Sequence, residues 1–372
     1  LPPTFRGHGV RIAIIDSGAA AGHPDLSGRV TAGWDLAGGD GWRVDTVGHG
    51  SHAAGIIGGS DNGTGIIGVV PEAELHSCRI FPDGRLGDLI EALDYCLAAG
   101  VDVVNLSLGS AQPSALVARK IEQLRQAGVA CVAAAGDTGG PVAFPASLPT
   151  VLAVAAIGRT GEYPPESYHA TQVSGTPTAA GYFSARFTGH GPEVDVCAPG
   201  VAVISSVPPA GYAAWDGTAC AAPYVTGLAA LLLAHHPDFR ERYASRDAAR
   251  VDRLFALIRS TCQPLALGDP GEHSRSRGWA QASTPNVDRG RTGAGLPDAE
   301  AALGLKPPVT LIPPADPTMA ALWTALAHAG LVSTPVPVTT PAAATPRGPD
   351  VLAPLRAALR AAGLLAYQPA SE

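Results

Sequence analysis

Two segments near the N-terminus carry side chains that could perform acid–base chemistry. The run IIDSG places Asp16 directly after an apolar stretch, and GHGSHAAGIIGG places His49 and His52 three residues apart at the start of a helix-like stretch. A carboxylate at a strand end that meets a histidine at a helix start fixes the imidazole tautomer and stabilises its charged form. Such a pair requires a third group whose proton the histidine can accept.

Each of these residues also has a simpler interpretation. Asp16 could cap its own loop as an Asx turn, and the two histidines could bind a metal ion in a hydrolase. No Glu lies between His49 and His52 and no third ligand follows at a suitable spacing, which disfavours a metal site. The remaining alternative is one solvent-facing and one packed histidine at a helix start.

A third segment, DGTACAAPYVTGLAALLLAHHP at residues 216–237, places a small-residue turn before an alanine-rich helix. The dipole and free N–H groups of a helix N-terminus favour negative charge, which suits an alkoxide nucleophile and the oxyanion formed by its attack. Ala219, at the centre of the turn, has no functional group. The three segments are therefore compatible with a binding module, an enzyme of unfamiliar chemistry, or an enzyme that lacks its nucleophile.

The elements that must position these segments are those of an α/β fold. Helical spacing that ends in glycine predicts helices at 88–100 and 114–128. Nearly continuous apolar runs, as in a parallel sheet covered on both faces, predict buried strands at 10–15, 74–81, 102–108, 129–135 and 151–157. The alternation predicts a doubly wound, mostly parallel sheet with helices on both faces and a site beyond the carboxyl ends of the strands.

Composition restricts the classes of partner. The chain has 372 residues, of which 46% are hydrophobic and 15% charged, and a net charge of −7. This charge gives no reason to expect nucleic acid or an anionic membrane, and no apolar run reaches the length of a membrane span. The six cysteines lack C-x-x-C spacing. Buried thiols in a reducing, cytoplasmic compartment are the first interpretation, with a disulfide and secretion as open alternatives.

In the order Asp, His, nucleophile position, the three segments resemble the motifs of the subtilisin-like serine proteases (subtilases). Four further stretches are similar to that family's pattern: VNLSLG (104–109), AAAGD (133–137), FPASLPTVLAV (144–154) and GAGLPDAEAAL (293–303). We therefore predict a subtilisin-like peptidase domain at 1–305. A proline-rich connector that could include a short helix follows at 306–349, and an amphipathic C-terminal helix and tail at 350–372.

The resemblance implies a role for each matching residue. Asp16 is the orienting acid, His49 the general base and Ala219 the nucleophile position, while Asp137 stands in the oxyanion turn. His52 is expected to be structural. An extended peptide substrate is expected to pair along one strand and to place a side chain in an apolar pocket. The residues expected to make these contacts are Ser107, Leu108, Gly109, Ala143 and Phe144. The Phe144–Pro145 bond is expected to be cis.

Two positions depart from the family's pattern. Ala219 stands where the family has serine, and Asp137 where it usually has asparagine. Alanine cannot attack a carbonyl, and loss of the serine lowers the turnover of subtilisin, a member of that family, by roughly 10⁶-fold. Cys220 is no replacement, because one residue along a helix rotates the side chain by roughly 100°. Thr218 is expected to precede the helix.

These departures leave two interpretations. One is a serine endopeptidase that hydrolyses peptide bonds through an Asp-His-Ser triad, present here as an inactive form with an engineered serine-to-alanine replacement that could trap a substrate or a propeptide. The other is a natural pseudoprotease that binds extended peptides without cleaving them, and the second departure supports it. Insertions at 160–182 and 263–292, relative to the family's compact pattern, could add substrate or partner contacts.

The resemblance also implies a structural calcium ion, and no cofactor for catalysis. The loop at 58–68 matches the family's calcium loop in length. Hard oxygen ligands suit calcium, and here the side chains of Asp25 and Asn62 could supply them together with the carbonyls of Ser60, Thr64 and Ile66. A glycine-rich turn without a metal is the alternative.

Overall fold

Residues 1–265, 267 and 288–306 are the part of the chain that the computed structural model describes. They belong to the first of two units, Leu1–Pro308 and Val309–Glu372. The predicted C-terminal helix, the predicted connector beyond Lys306 and most of the second predicted insertion lie outside the described residues.

The apolar runs of the sequence form the strands of one large sheet. In chain order its strands are β1 (Arg11–Asp16), β2 (Val30–Asp35), β3 (Glu74–Arg79), β4 (Val103–Leu106), β5 (Ala130–Ala134), β6 (Leu152–Arg159), β7 (Val173–Ser174), β8 (Tyr182–Ala185) and β9 (Val196–Pro199). The strand order is β2-β3-β1-β4-β5-β6-β8-β7, and β9 also pairs with β6. All pairs are parallel except those of β8 with β6 and β7. The prediction of a mostly parallel α/β sheet is confirmed.

Helices cover this sheet, and short elements extend it. The helices are α1 (His49–Gly58), α2 (Leu86–Ala98), α3 (Ala115–Gln126), α4 (Thr218–His235), α5 (Ala248–Ser260), α6 (Arg289–Thr292) and α7 (Ala299–Ala302). Two antiparallel pairs are separate from the sheet: β10 (Val203–Val207) with β11 (Gly211–Trp215), and β12 (Cys262–Gln263) with β13 (Leu296–Pro297). Single 3₁₀ turns lie at Gly41–Arg43, Tyr168–Gln172 and Pro237–Phe239.

The two faces of the sheet bury alternate residues of each strand. In β1, Ile12 and Ile14 belong to the core that contains α1, α4 and α5, whereas Ala13 and Ile15 belong to the core that contains α2 and α3. Successive side chains of a strand point to opposite faces, so a sheet covered on both faces needs continuous apolar runs. This explains why the central strands were recognisable from the sequence.

Helix α4 passes through the middle of the protein. By length and composition it could cross a membrane, but 78% of it is buried among the strands and helices of this fold. This burial agrees with the prediction of a core helix. All six cysteines are described, and all are free thiols, five of them buried.

The sequence did not reveal several elements. The prediction that Thr218 precedes the helix was wrong, because α4 begins at Thr218. Strand β2 was missed because most of its residues are only partly buried and lack an apolar run. The β10–β11 pair was missed because β10 buries two serines, Ser205 and Ser206, whose hydroxyls donate to the carbonyls of His52 and Ser51 in α1.

Candidate active site

The end of β1 and the start of α1 bring together an aspartate and a histidine. His49 Nδ1 lies 2.8 Å from Asp16 Oδ1 and 2.9 Å from Oδ2. Because the carboxylate only accepts, Nδ1 carries the proton and Nε2 is left as the basic nitrogen. Asp16 is almost fully buried and the His49 side chain is 36% exposed. The charge of Asp16 raises the pKa of His49 above its ordinary value, although burial opposes this shift.

A second buried carboxylate, Asp45, holds the two segments of this pair in place. Its Oδ1 accepts from the hydroxyl of Ser17, the neighbour of Asp16, and from the N–H groups of Val47 and Gly48. Its Oδ2 accepts from both the N–H and the hydroxyl of Ser51. Asp45 thereby caps the first turn of α1, whose own N-cap residue offers no side-chain hydrogen bond.

The approach of α1 to β1 is possible only without a side chain at position 50. A Cβ on Gly50 would lie 2.1 Å from the carbonyl oxygen of Gly18 and 3.1 Å from Asp16 Cβ. The Gly50 N–H donates to the Ser17 hydroxyl over 2.9 Å. The glycine after His49 is therefore required for the distance between the histidine and the aspartate.

Ala219 is the second residue of α4, at the helix terminus where the dipole favours negative charge. A chain of buried hydrogen bonds fixes its backbone. Thr226 donates to the Asn105 side chain, which donates to the Ser107 hydroxyl, which donates to the Ala219 carbonyl over 2.8 Å. The Ser107 side chain thus supports the nucleophile position, in addition to the backbone pairing predicted for this residue.

Asp137 reaches the same helix terminus from the turn after β5. Its Oδ1 accepts from the Thr218 N–H and from the Thr218 hydroxyl, each over 2.7 Å. The Thr218 oxygen in turn accepts the N–H of Gly136. The other oxygen, Oδ2, would lie 3.1 Å from a Cβ built on Gly217, so it is directed toward the turn that carries Ala219.

A first cavity, of about 590 Å³, lies on one side of Ala219. Its lining includes His49, Asp137, Ala219 and all five predicted substrate-binding residues, Ser107, Leu108, Gly109, Ala143 and Phe144. Its walls are joined by two hydrogen bonds between the backbones of Ser110 and Phe144. The Phe144–Pro145 bond is cis, as predicted.

A second cavity, of about 430 Å³, lies on the other side of the nucleophile position. It shares His49, Asp137 and Ala219 with the first cavity and is completed by Tyr168, His169, Ala214, Trp215, Asp216 and Cys220. The two cavities form one cleft that passes His49 and Ala219. A peptide lying along Ser107–Gly109 would continue past Ala219 into the second cavity.

His52 and Cys220 are structural neighbours of the site. The His52 ring stacks on Trp215 with centroids 4.6 Å apart, and its Nε2 donates to the carbonyls of Val203 and Ala213. Its Nδ1 lies 4.0 Å from the Cys220 sulfur. Burial raises the pKa of the Cys220 thiol to about 12, and a protonated thiol is a poor nucleophile. Cys220 therefore does not replace the missing serine.

The residues predicted to bind calcium are already bonded to one another. Asp25 Oδ1 accepts from the Asn62 amide, and Oδ2 accepts from the Ile66 N–H and the Tyr212 hydroxyl. Asn62 Oδ1 accepts from both the N–H and the hydroxyl of Thr64. In this arrangement the side-chain oxygens of Asp25 and Asn62 accept from donors of the protein itself, and the calcium ion stays a prediction.

Several residues of the site were missed from the sequence. Asp45 lies in an ordinary-looking loop, although its position four residues before His49 at a helix start could have indicated a cap. Asn105 reads as part of an apolar strand. His169 and Asp216 lie 47 residues apart, and nothing in either segment points to the other.

Comparison with known proteins agrees with the geometry. Residues 7–279 match the model of the subtilase family. Subtilisin DY of Bacillus licheniformis is 31% identical over 241 residues, which cover 63% of this chain and 80% of that protein. A thermostable alkaline protease of Halalkalibacterium halodurans is 32% identical over 237 residues, 63% of this chain and 59% of that protein. The chain thus spans less than two thirds of the length of some relatives.

Solved structures show the same fold. The S41 psychrophilic protease has a TM-score of 0.58 and 29% identity, covering 70% of this chain and 87% of that one. The prenylagaramide maturation protease PagA has a TM-score of 0.59 and 22% identity, covering 82% of this chain and 98% of that one. The predicted family is confirmed, since the match to the family model extends over more than half of the chain: this protein belongs to the subtilase family.

Proposed function

We propose that this chain is a serine endopeptidase of the subtilisin type whose nucleophile position holds alanine. It binds a peptide or protein segment in an extended conformation, such as a substrate or a propeptide, and as given it does not cleave that segment. With serine at position 219 it hydrolyses the peptide bond that lies beside His49.

One observation carries this proposal. The Asp16–His49 hydrogen bonds are intact, with His49 and Ala219 lining the same cleft. A serine hydroxyl at the N-terminus of α4 would have a basic nitrogen to take its proton and a helix dipole to stabilise the resulting charge. The Ser107–Ala219 hydrogen bond would hold its backbone. We expect no other part of the triad to be missing.

A natural pseudoprotease is the second candidate, and Asp137 favours it. A carboxylate beside the nucleophile position repels an oxyanion, whereas an asparagine amide would donate to it. A chain that had lost catalysis could accumulate such a change while keeping its peptide cleft. In this candidate, Ala219 and Asp137 are both native features of a binding protein.

The Ala219→Ser substitution tests the proposal. The substituted protein is expected to react with a fluorophosphonate probe at position 219 and to cleave members of a random peptide library, with products identified by mass spectrometry. Adding His49→Ala should abolish both reactions, because the base makes the serine nucleophilic. The unsubstituted chain should bind library peptides and release them uncut.

One result would overturn the proposal. If the Ala219→Ser protein is folded by circular dichroism and free of any bound peptide, yet neither labels nor cleaves, the endopeptidase proposal fails. Peptide binding by the unsubstituted chain would then identify the pseudoprotease.

A further inference from the structure

A second histidine–aspartate pair lies in the cleft, in the second cavity. His169 Nδ1 and Asp216 Oδ1 are 2.6 Å apart. His169 belongs to the insertion at 160–182, and Asp216 stands three residues before Ala219. The insertion is thereby bonded directly to the turn that carries the nucleophile position. Neither residue has a part in the Asp16–His49 pair.

Aromatic rings and a backbone hydrogen bond surround this pair. The Tyr163 ring lies 6.0 Å from the His169 ring and packs edge-on against Phe183, a fully buried core residue. Asp216 Oδ1 also accepts the N–H of Ala202 over 2.7 Å. Ala202 has a φ of 56°, a left-handed conformation that is costly for a residue with a Cβ and is often found at functional sites.

The pair leaves unused hydrogen-bond acceptors. The Asp216 side chain is only 9% exposed, and its Oδ2 is buried without a hydrogen-bond partner in the part of the chain that the structure describes. Because this oxygen has less than 1 Å² of accessible surface, it lies out of reach of a ligand's donor groups, and Asp216 acts on the cavity through its charge. His169 Nδ1 is bonded to Asp216, which leaves Nε2 of the same ring without a hydrogen-bond partner among the described residues.

Among its carboxylate, lysine and arginine side chains, the lining of the second cavity carries only negative charge. Its lining contains two carboxylates, Asp137 and Asp216, and no lysine or arginine among the described residues. The rings of Tyr168 and Trp215 belong to the same lining, and aromatic faces attract cations. Tyr168 is 73% exposed, so its ring is open to a ligand.

Building on the proposed function, we infer that the second cavity is a subsite for a cationic side chain, arginine or lysine, at the first position after the bond beside His49. A donor group of that side chain would bond to His169 Nε2. Its charge would be balanced by Asp216 and Asp137. An acidic side chain would meet carboxylates and unused acceptors, and would be rejected.

The test uses the Ala219→Ser protein and a random peptide library. Cleavage products are sequenced, and the frequency of each residue at the new N-terminus is compared with its frequency in the library. Arginine and lysine are expected to be enriched about tenfold over glutamine, because the two carboxylates of the lining attract a cation, and glutamate is expected to be depleted. A matched pair of peptides with arginine or its uncharged isostere citrulline should differ in kcat/KM to the same extent.

Two variants distinguish a local effect of Asp216 on the subsite from an effect of the protein's net charge. Asp216→Asn should lower the arginine-to-citrulline ratio about threefold, because Asp137 alone then balances the cation. Asp94→Asn makes the same change in net charge at an exposed carboxylate on α2 and should leave the ratio unchanged. Because Asp216→Asn could disturb the turn, the ratio is also measured without it against ionic strength. It should fall as salt screens the carboxylates.

A ratio near one in the Ala219→Ser protein, or one unchanged by Asp216→Asn in a folded variant, overturns the inference while leaving the peptidase proposal intact. If the Ala219→Ser protein cleaves nothing, the proposed function has failed. The unsubstituted chain is then used to capture the same library, and captured peptides without enrichment of arginine and lysine, or no capture at all, also overturn the inference.

Discussion

Thr218 donates both its backbone N–H and its hydroxyl to one oxygen of Asp137, each over 2.7 Å. This contact fixes the direction of the carboxylate, because Oδ1 is held by the helix terminus and Oδ2 is turned toward Gly217, two residues before Ala219. At that position Asp137 offers an acceptor where an oxyanion requires a donor. The relationship leads directly to the first prediction.

Asp137→Asn should raise the activity of the Ala219→Ser protein at neutral pH. The asparagine Oδ1 would accept the same two bonds from Thr218, which leaves Nδ2 to donate where the carboxylate now repels. One oxyanion donor contributes about 2.7–4 kcal/mol in subtilisin, a relative, so kcat is expected to increase about 100-fold. Asp137→Ala, which removes charge without adding a donor, is the matched control and should gain much less. Equal rates in all three proteins would contradict the prediction.

In the Ala219→Ser protein, kcat/KM should rise with pH, and the midpoint of this acid limb should lie above pH 6.5. His49 must be neutral to act as a base, and the charge of Asp16 raises its pKa from the ordinary 6.5, so activity appears only as pH rises through the raised value. Asp16→Asn should move the limb to lower pH and lower kcat by roughly 10⁴-fold. The measurement is kcat/KM against pH, which reports the free enzyme, and a parent limb at or below 6.5 would contradict it.

The fold should lose stability in acid through His52. Burial lowers its pKa from the ordinary 6.5 to about 4. The unfolded chain therefore takes up a proton as pH falls through 6.5, whereas the folded chain takes it up only near 4. The stabilisation is present above pH 6.5 and is lost between 6.5 and 4, by about 3 kcal/mol at most.

The difference in unfolding free energy between the parent and His52→Gln tests this. Glutamine can still donate to the Val203 and Ala213 carbonyls, but it does not titrate, so the parent's advantage should shrink as pH falls. His8→Gln, at an exposed position, is the control for replacing a histidine with glutamine outside the core. A His52→Gln difference that is independent of pH would refute the assignment.

Chelation should leave the melting temperature unchanged. Asp25, the carboxylate of the predicted calcium set, accepts from Asn62, Ile66 and Tyr212, and these donors compensate its charge without a cation. The melting temperature is measured in excess EDTA and in excess calcium. A drop in EDTA that calcium reverses would show instead that these ligands rearrange around the ion, as the sequence predicted.

The central sheet and the Asp16–His49 pair at the carboxyl ends of its strands were predictable, because the sequence patterns that indicate them are local. Ile12 to Ile15 read as a strand covered on both faces, and Asp16 follows without interruption. His49 stands among glycines and alanines that mark a close-packed helix start. The hairpin behind His52 was not predictable, since Ser205 and Ser206 are buried only because α1 supplies carbonyls for their hydroxyls.

The sequence by itself predicted Asp16, His49 and Ala219 as the orienting, basic and nucleophile positions, because short-range patterns place each at a strand or helix terminus and their motifs resemble those of the subtilases. Only the tertiary structure decided what surrounds them. Asp45 bonds to Ser17 across 28 residues, Asp137 to Thr218 across 81, and His169 to Asp216 across 47. Hydrogen bonds of this kind depend on loops that pack together after the sheet has formed, and side-chain direction at such contacts is set by packing rather than by sequence neighbours.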